Sequence, residues 1–143
     1  ILAISLPEPF HLSGPYSINN FIIFIVALVL GLFLVTALNL FMHILTMFTL
    51  DEKGSMTTYS VIADIFMGGT VPIPFFPTWL KHIAEFLPFR FIGDFPFRIY
   101  SNSIPLEEGY ILIIGSIIWI IITISLGYLI SRVSLRKAVI QGG

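Results

Sequence analysis

Charge is what this sequence has least of. Asp, Glu, Lys and Arg make up 10% of its 143 residues, against about 25% in an ordinary soluble domain. A globule facing water on every side needs more polar surface than that, so a free-standing soluble domain is excluded. The net charge is −1, which excludes the basic field that nucleic-acid binding requires. Cysteine is absent, and with it disulfides, thiol nucleophiles and cysteine-based metal sites. The three histidines, His11, His43 and His82, lie far apart without metal-ligand spacing. There is no glycine-rich phosphate loop, no HExxH, no Gly-x-Ser-x-Gly and no paired-carboxylate pocket. No catalytic residue, metal or cofactor is therefore expected.

Apolar residues fill the space that charge leaves. They account for 57% of the chain, with a mean hydropathy of +0.99. A bilayer accepts such surface directly, so the expected fold class is an all-α membrane protein with about three transmembrane helices. The chain opens at Ile1 in apolar sequence, with no basic n-region ahead of a short apolar core. No signal peptide is expected, and the sequence reads as a fragment lacking an N-terminal part.

Residues 1–20, broken by Pro7, Pro9, Gly14 and Pro15, read as an extracellular-side segment. No charge occurs between Pro9 and Leu50, and residues 21–50 read as the first span. The apolar run Phe21–Phe48 would reach roughly 42 Å as helix, more than the ~30 Å hydrocarbon core. Ser17, Asn19 and Asn20 are its candidate N-caps. Residues 51–54 (Asp-Glu-Lys-Gly) read as a cytoplasmic turn, with Ser55 capping a second, shorter span over 55–71. Residues 109–131 form the clearest span, flanked by Tyr110 and Tyr128, and 132–143 a basic cytoplasmic tail with Arg132, Arg136 and Lys137.

Between the last two spans, residues 72–108 carry six prolines: Pro72, Pro74, Pro77, Pro88, Pro96 and Pro105. Trp79/Leu80, Ile83 and Phe86/Leu87 recur at helical spacing opposite Lys81, His82 and Glu85, which predicts a short amphipathic helix over 78–87. With so many phenylalanines around it, the segment reads as an outer-side interfacial or re-entrant element before the last span. The three basic residues of the tail favour placing it in the cytoplasm.

Asp64 is the one acid inside an expected span, where a carboxylate costs a few kcal/mol and must face protein or water. It admits two readings: a substrate or proton contact, or a hydrogen bond to a neighbouring helix close to the surface. The second is the plainer. His43 and Asn39 read as packing residues that join helices. Gly68 and Gly69 suit a helix terminus better than a hinge. Arg90, Asp94 and Arg98, spaced by four, would form an ion-pair row if helical.

The order of these features resembles the C-terminal half of ABC-2 type permeases, the membrane subunits of one class of bacterial ABC exporter. The resemblance rests on Gly68-Gly69-Thr-Val-Pro72-Ile-Pro74-Phe-Phe-Pro77, then Trp79-Leu80, then Leu87-Pro88-Phe89-Arg90, and on the Gly142-Gly143 tail. It covers roughly residues 18–143. By resemblance, this chain would supply the last three of six spans in a multi-pass protein of the bacterial plasma membrane. The partners implied are an ATP-binding subunit, a second permease subunit in a homo- or heterodimer, and the lipid bilayer. The family's early spans and its main contact helix for the ATPase precede anything in this sequence, so no coupling residue is expected here. A secondary transporter using Asp64, or a non-transporting membrane anchor, are the alternative functions.

Overall fold

The computed structural model describes residues 17–49 and 51–141, with side chains described as far as Val133. The expectations for residues 1–16 and for Gly142-Gly143 lie outside the described residues. Five α-helices and two 3₁₀ turns follow in order, and the described residues contain no strand: α1 Ile18–Thr46, α2 Glu52–Met67, a turn at Ile73–Phe75, α3 Thr78–Phe86, a turn at Pro88–Phe91, α4 Asp94–Tyr100 and α5 Leu106–Gln141.

Ser17 starts α1, its hydroxyl oxygen accepting from the Asn20 N–H at 3.2 Å. The helix is apolar on nearly all sides, as is α5. Ile22, Leu32, Phe33 and Leu40 of α1 and Ile111, Ile114, Ile118 and Ile121 of α5 are exposed. A helix apolar all round belongs in a core or a membrane, and these faces are exposed among the described residues. Among the described residues, α1 and α5 are the two helices long and apolar enough to cross a bilayer.

The expected third span falls short. α2 has 16 residues, about 24 Å, below the ~30 Å hydrocarbon core. Two local devices set its ends. Asp51, not Ser55, is the N-cap: its carboxylate accepts from the Gly54 N–H at 2.9 Å, and an acid suits a helix N-terminus. Residues 52–54 are thus helical, and turns at 47–48 follow α1. At the other end Gly68 adopts the left-handed conformation, φ 80°. The Gly68 N–H donates to the Ile65 carbonyl and the Gly69 N–H to that of Asp64, at 3.1 and 3.0 Å. This pair of bonds stops a helix four residues before Val71.

α1 and α5 run parallel. Gly109 of α5 lies against Ile23, and Gly127 lies against Phe41 and Ile44, so the register offset is steady along the pair. α2 runs back antiparallel from the trailing end of α1 and stops beside its middle. The segment after it stays inside the helical layer. Phe91 and Ile92 pack on Gly31, near the centre of α1, where a Cβ would meet the Phe91 carbonyl oxygen at 3.2 Å. Phe86 packs edge-on against Trp119 of α5, ring centroids 6.0 Å apart. Phe89 stacks near Tyr59 and Phe66 of α2, at 6.1 and 6.4 Å.

α4 then returns toward the leading end. There Asn20 donates to the Ile99 carbonyl and to Asn102 Oδ1, both at 3.1 Å. The core of the molecule forms around this returning segment, with Phe95 and Ile99 wholly buried beside Ala27 and Leu34. Pro96 sits in the first turn of α4, where its missing N–H costs nothing.

The expected helix over 78–87 is α3, one residue shorter. The row Arg90, Asp94, Arg98 is broken. Arg90 belongs to the preceding 3₁₀ turn, because Gly93 starts a new helix, and only Asp94 and Arg98 pair along α4 at 3.4 Å. The basic tail continues α5 as helix through Gln141.

Candidate functional site: a polar helix face leading into a cleft

Lys53, Thr57, Ser60 and Asp64 recur at i, i+4, i+7 and i+11 along α2, and all four are exposed. They share one face. The Thr57 and Ser60 hydroxyls donate back to the Lys53 and Met56 carbonyls at 2.8 and 2.9 Å. This satisfies their protons locally and leaves oxygen lone pairs outward. In a chain whose other long helices expose Ile, Leu, Val and Phe, this is a polar track half as long as a bilayer is thick.

The track ends in an open cleft of about 670 Å³ between the end of α2 and α4. Five of the residues expected to matter line it: Asp64, Gly68, Gly69, Pro72 and Pro74. Asp94 and Arg98 line it from the α4 side. Asp64 reaches forward over the loop, and its Oδ2 accepts from the Thr70 hydroxyl at 2.6 Å. Its partner is therefore the following loop and not a neighbouring helix. Gly69 leaves room for this carboxylate, since a Cβ there would run into it.

Asp94 is the more protected acid, with 6% of its side chain exposed. Arg98 hydrogen-bonds it at 3.4 Å. The cleft thus presents one open carboxylate, one sheltered carboxylate and a guanidinium, a surface that can hydrogen-bond a polar group in passing. The described residues hold no group of three or more His, Asp or Glu placed to bind a metal.

Arg90 lies behind the cleft, not in it. It is buried, its Nη1 donates to the Glu85 carbonyl at 3.1 Å, and its guanidinium sits 5.7 Å from the Phe91 ring centroid. Its Nε has no protein partner. The bond to Glu85 closes the C-terminal end of α3 onto the next turn. Pro88 and Phe89 are buried beside it. Pro77 precedes the first residue of α3, Trp79 and Ile83 are exposed, and Phe86 is exposed apart from its edge contact with Trp119.

His43 meets Glu52 at 3.7 Å on the surface, and Asn39 is exposed, facing no helix of this chain. The α2 track, the place of Asp94 in the cleft and Gly93 are the features that reading the sequence missed. The track was legible as a four-residue polar repeat at helical spacing; the other two needed the return of α4.

No curated protein and no solved structure matches the chain. The family described as ABC-2 family transporter protein matches residues 15–142, which takes in all five helices and every residue of the track and cleft. Two long apolar helices, a short one with a polar face and a folded-in segment between them are the parts of a permease-type membrane subunit, and the chain belongs to the ABC-2 transporter family.

Proposed function

We propose that this chain is the C-terminal part of the permease subunit of an ATP-driven exporter, and that the polar face of α2 and its cleft line the substrate route. The observation that carries this reading is the exposed row Lys53, Thr57, Ser60 and Asp64. Polar side chains on lipid-facing helix surface are costly, so such a face turns to water or to protein. The cleft extends the row past the middle of α1, to the level of α4. A second permease subunit supplies the opposite wall, and a separate ATP-binding subunit supplies the energy, since no phosphate-binding loop occurs here. The basic end of α5 lies in the cytoplasm of a bacterial cell. The segment from Pro72 to Glu108 then enters from the outer side and reaches mid-depth as a re-entrant element. α2 with the loop after it completes the third crossing.

The test is transport by the full-length protein in vesicles. Transport should require ATP and the ATP-binding subunit. Asp64→Asn keeps an acceptor for Thr70 while removing the charge, so it should lower the rate modestly and leave ATP dependence intact. Because the chain has no cysteine, Ser60→Cys should react with a water-soluble thiol reagent while Ile121→Cys on α5 does not. Transport that collapses with the proton gradient, and is abolished by Asp64→Asn, would instead mark a secondary transporter.

A further inference from the structure

At the trailing end the parallel helices α1 and α5 part, leaving a groove of about 230 Å³. Small residues open it: Ala37 on α1 and Gly127 on α5. Leu40, Phe41 and Ile44 form one wall and Ile124 with Thr123 part of the other, so the interior is largely apolar. From Ala37 to Ile44 it runs about 10 Å along the helix axis, the direction in which an acyl chain lies.

Its open end is different. Tyr128 and Ser131 line it there, and the Arg132 guanidinium sits 4.5 Å from the centroid of the Tyr128 ring. Ser131 already donates to the Tyr128 carbonyl at 2.9 Å, so among the described residues Arg132 is the charged donor beside the mouth. Arg132 is exposed and lies one residue from the end of the apolar stretch Leu106–Val133, at the depth where headgroups begin. Arg136 follows one helical turn later with Lys137 beside it, and the described part of α5 carries no acid after Glu108.

We propose that this groove is a binding site for one anionic phospholipid, with an acyl chain between α1 and α5 and its phosphate on Arg132. An apolar slot along the helix axis fits the chain. A guanidinium, fixed over an aromatic ring at the slot's mouth, fits the phosphate. A second protein helix would fit the slot but leave the basic mouth unmatched. The inference stands apart from the proposed route, which lies on α2, and would survive its failure.

The experiment is thermal unfolding of the full-length protein in detergent, titrated with phosphatidylglycerol or phosphatidylcholine. Phosphatidylglycerol should raise the midpoint more than phosphatidylcholine, as a ligand of the folded state does. Arg132→Gln should weaken the phosphatidylglycerol response roughly fivefold in concentration, the worth of one basic residue near an anionic headgroup, and leave phosphatidylcholine unchanged. Gly127→Leu should unfold normally without lipid and lose the response to both lipids. A Cβ at Gly127 makes only ordinary contacts, 3.7 Å to Ile44 and 3.8 Å to Phe41, and the rest of a leucine side chain would occupy the groove that Gly127 lines. Equal responses to the two lipids in wild type, or no effect of Arg132→Gln, would overturn the proposal. So would an undiminished response in Gly127→Leu, or a disulfide-linked dimer of Ile124→Cys in membranes, which would give the groove to a second copy.

Discussion

The two ends of the α1–α5 pair are built from the same kind of helix, yet one end is filled and the other is open. At the leading end the returning segment wedges between them, and Phe91, Phe95 and Ile99 are buried against Ala27 and Leu112. At the trailing end no third element enters between α1 and α5 among the described residues. There, α1 and α2 leave a cleft of about 600 Å³, and α1 and α5 leave their groove. In lipid, tails are as apolar as leucine, so helices gain little merely by hiding apolar surface from one another. Association depends on close packing, and the leading end obtains it from short, aromatic-rich turns that can enter where a full helix cannot. Close packing therefore belongs to the proline-bearing segment and open surface to the long helices, the reverse of what composition suggests.

Phe95→Ala should be the most damaging way to break this contrast. Phe95 is 0% exposed, and emptying such a site costs about 3–5 kcal/mol. The expected result is a large drop in the unfolding midpoint in detergent. Gly93→Val should come next, costing about 1–3 kcal/mol through overpacking. A Cβ at Gly93 would stand 2.5 Å from the Met67 carbonyl oxygen, so α2 and α4 would have to separate. Unfolding together with the yield of monodisperse protein would register that, and an unchanged midpoint would contradict the close approach of these two segments. Gly127→Ala should do least: no loss, and up to about 1 kcal/mol gained from helix propensity. A clear destabilisation by Gly127→Ala, as large as that from Gly93→Val, would remove the distinction between a filled end and an open one.

The local features were the ones most open to sequence reading. Ser17 caps α1 because a hydroxyl three residues ahead of Asn20 meets a free N–H at any helix start. Gly68 ends α2 because a left-handed residue is cheap only for glycine. The helix at Thr78–Phe86 follows from its own spacing. The ion-pair row of Arg90, Asp94 and Arg98 failed because spacing alone does not say whether the helix is continuous. Ser55 lost the capping role because two candidates stood four residues apart and only the backbone path chooses between them.

The composition by itself determined the solvent: with 10% charged residues, only lipid can face most of this chain. It determined the two long helices as well, since a bilayer core leaves an apolar backbone few ways to satisfy its own hydrogen bonds. Only the tertiary structure decided that the proline-rich segment turns inward to the middle of α1. The match of Gly31 to Phe91 and Ile92, and of Gly93 to Met67, joins residues far apart in the chain, and no local preference records it. The same packing set the cleft, because Asp64 and Asp94 share it only where α2 stops short and α4 returns.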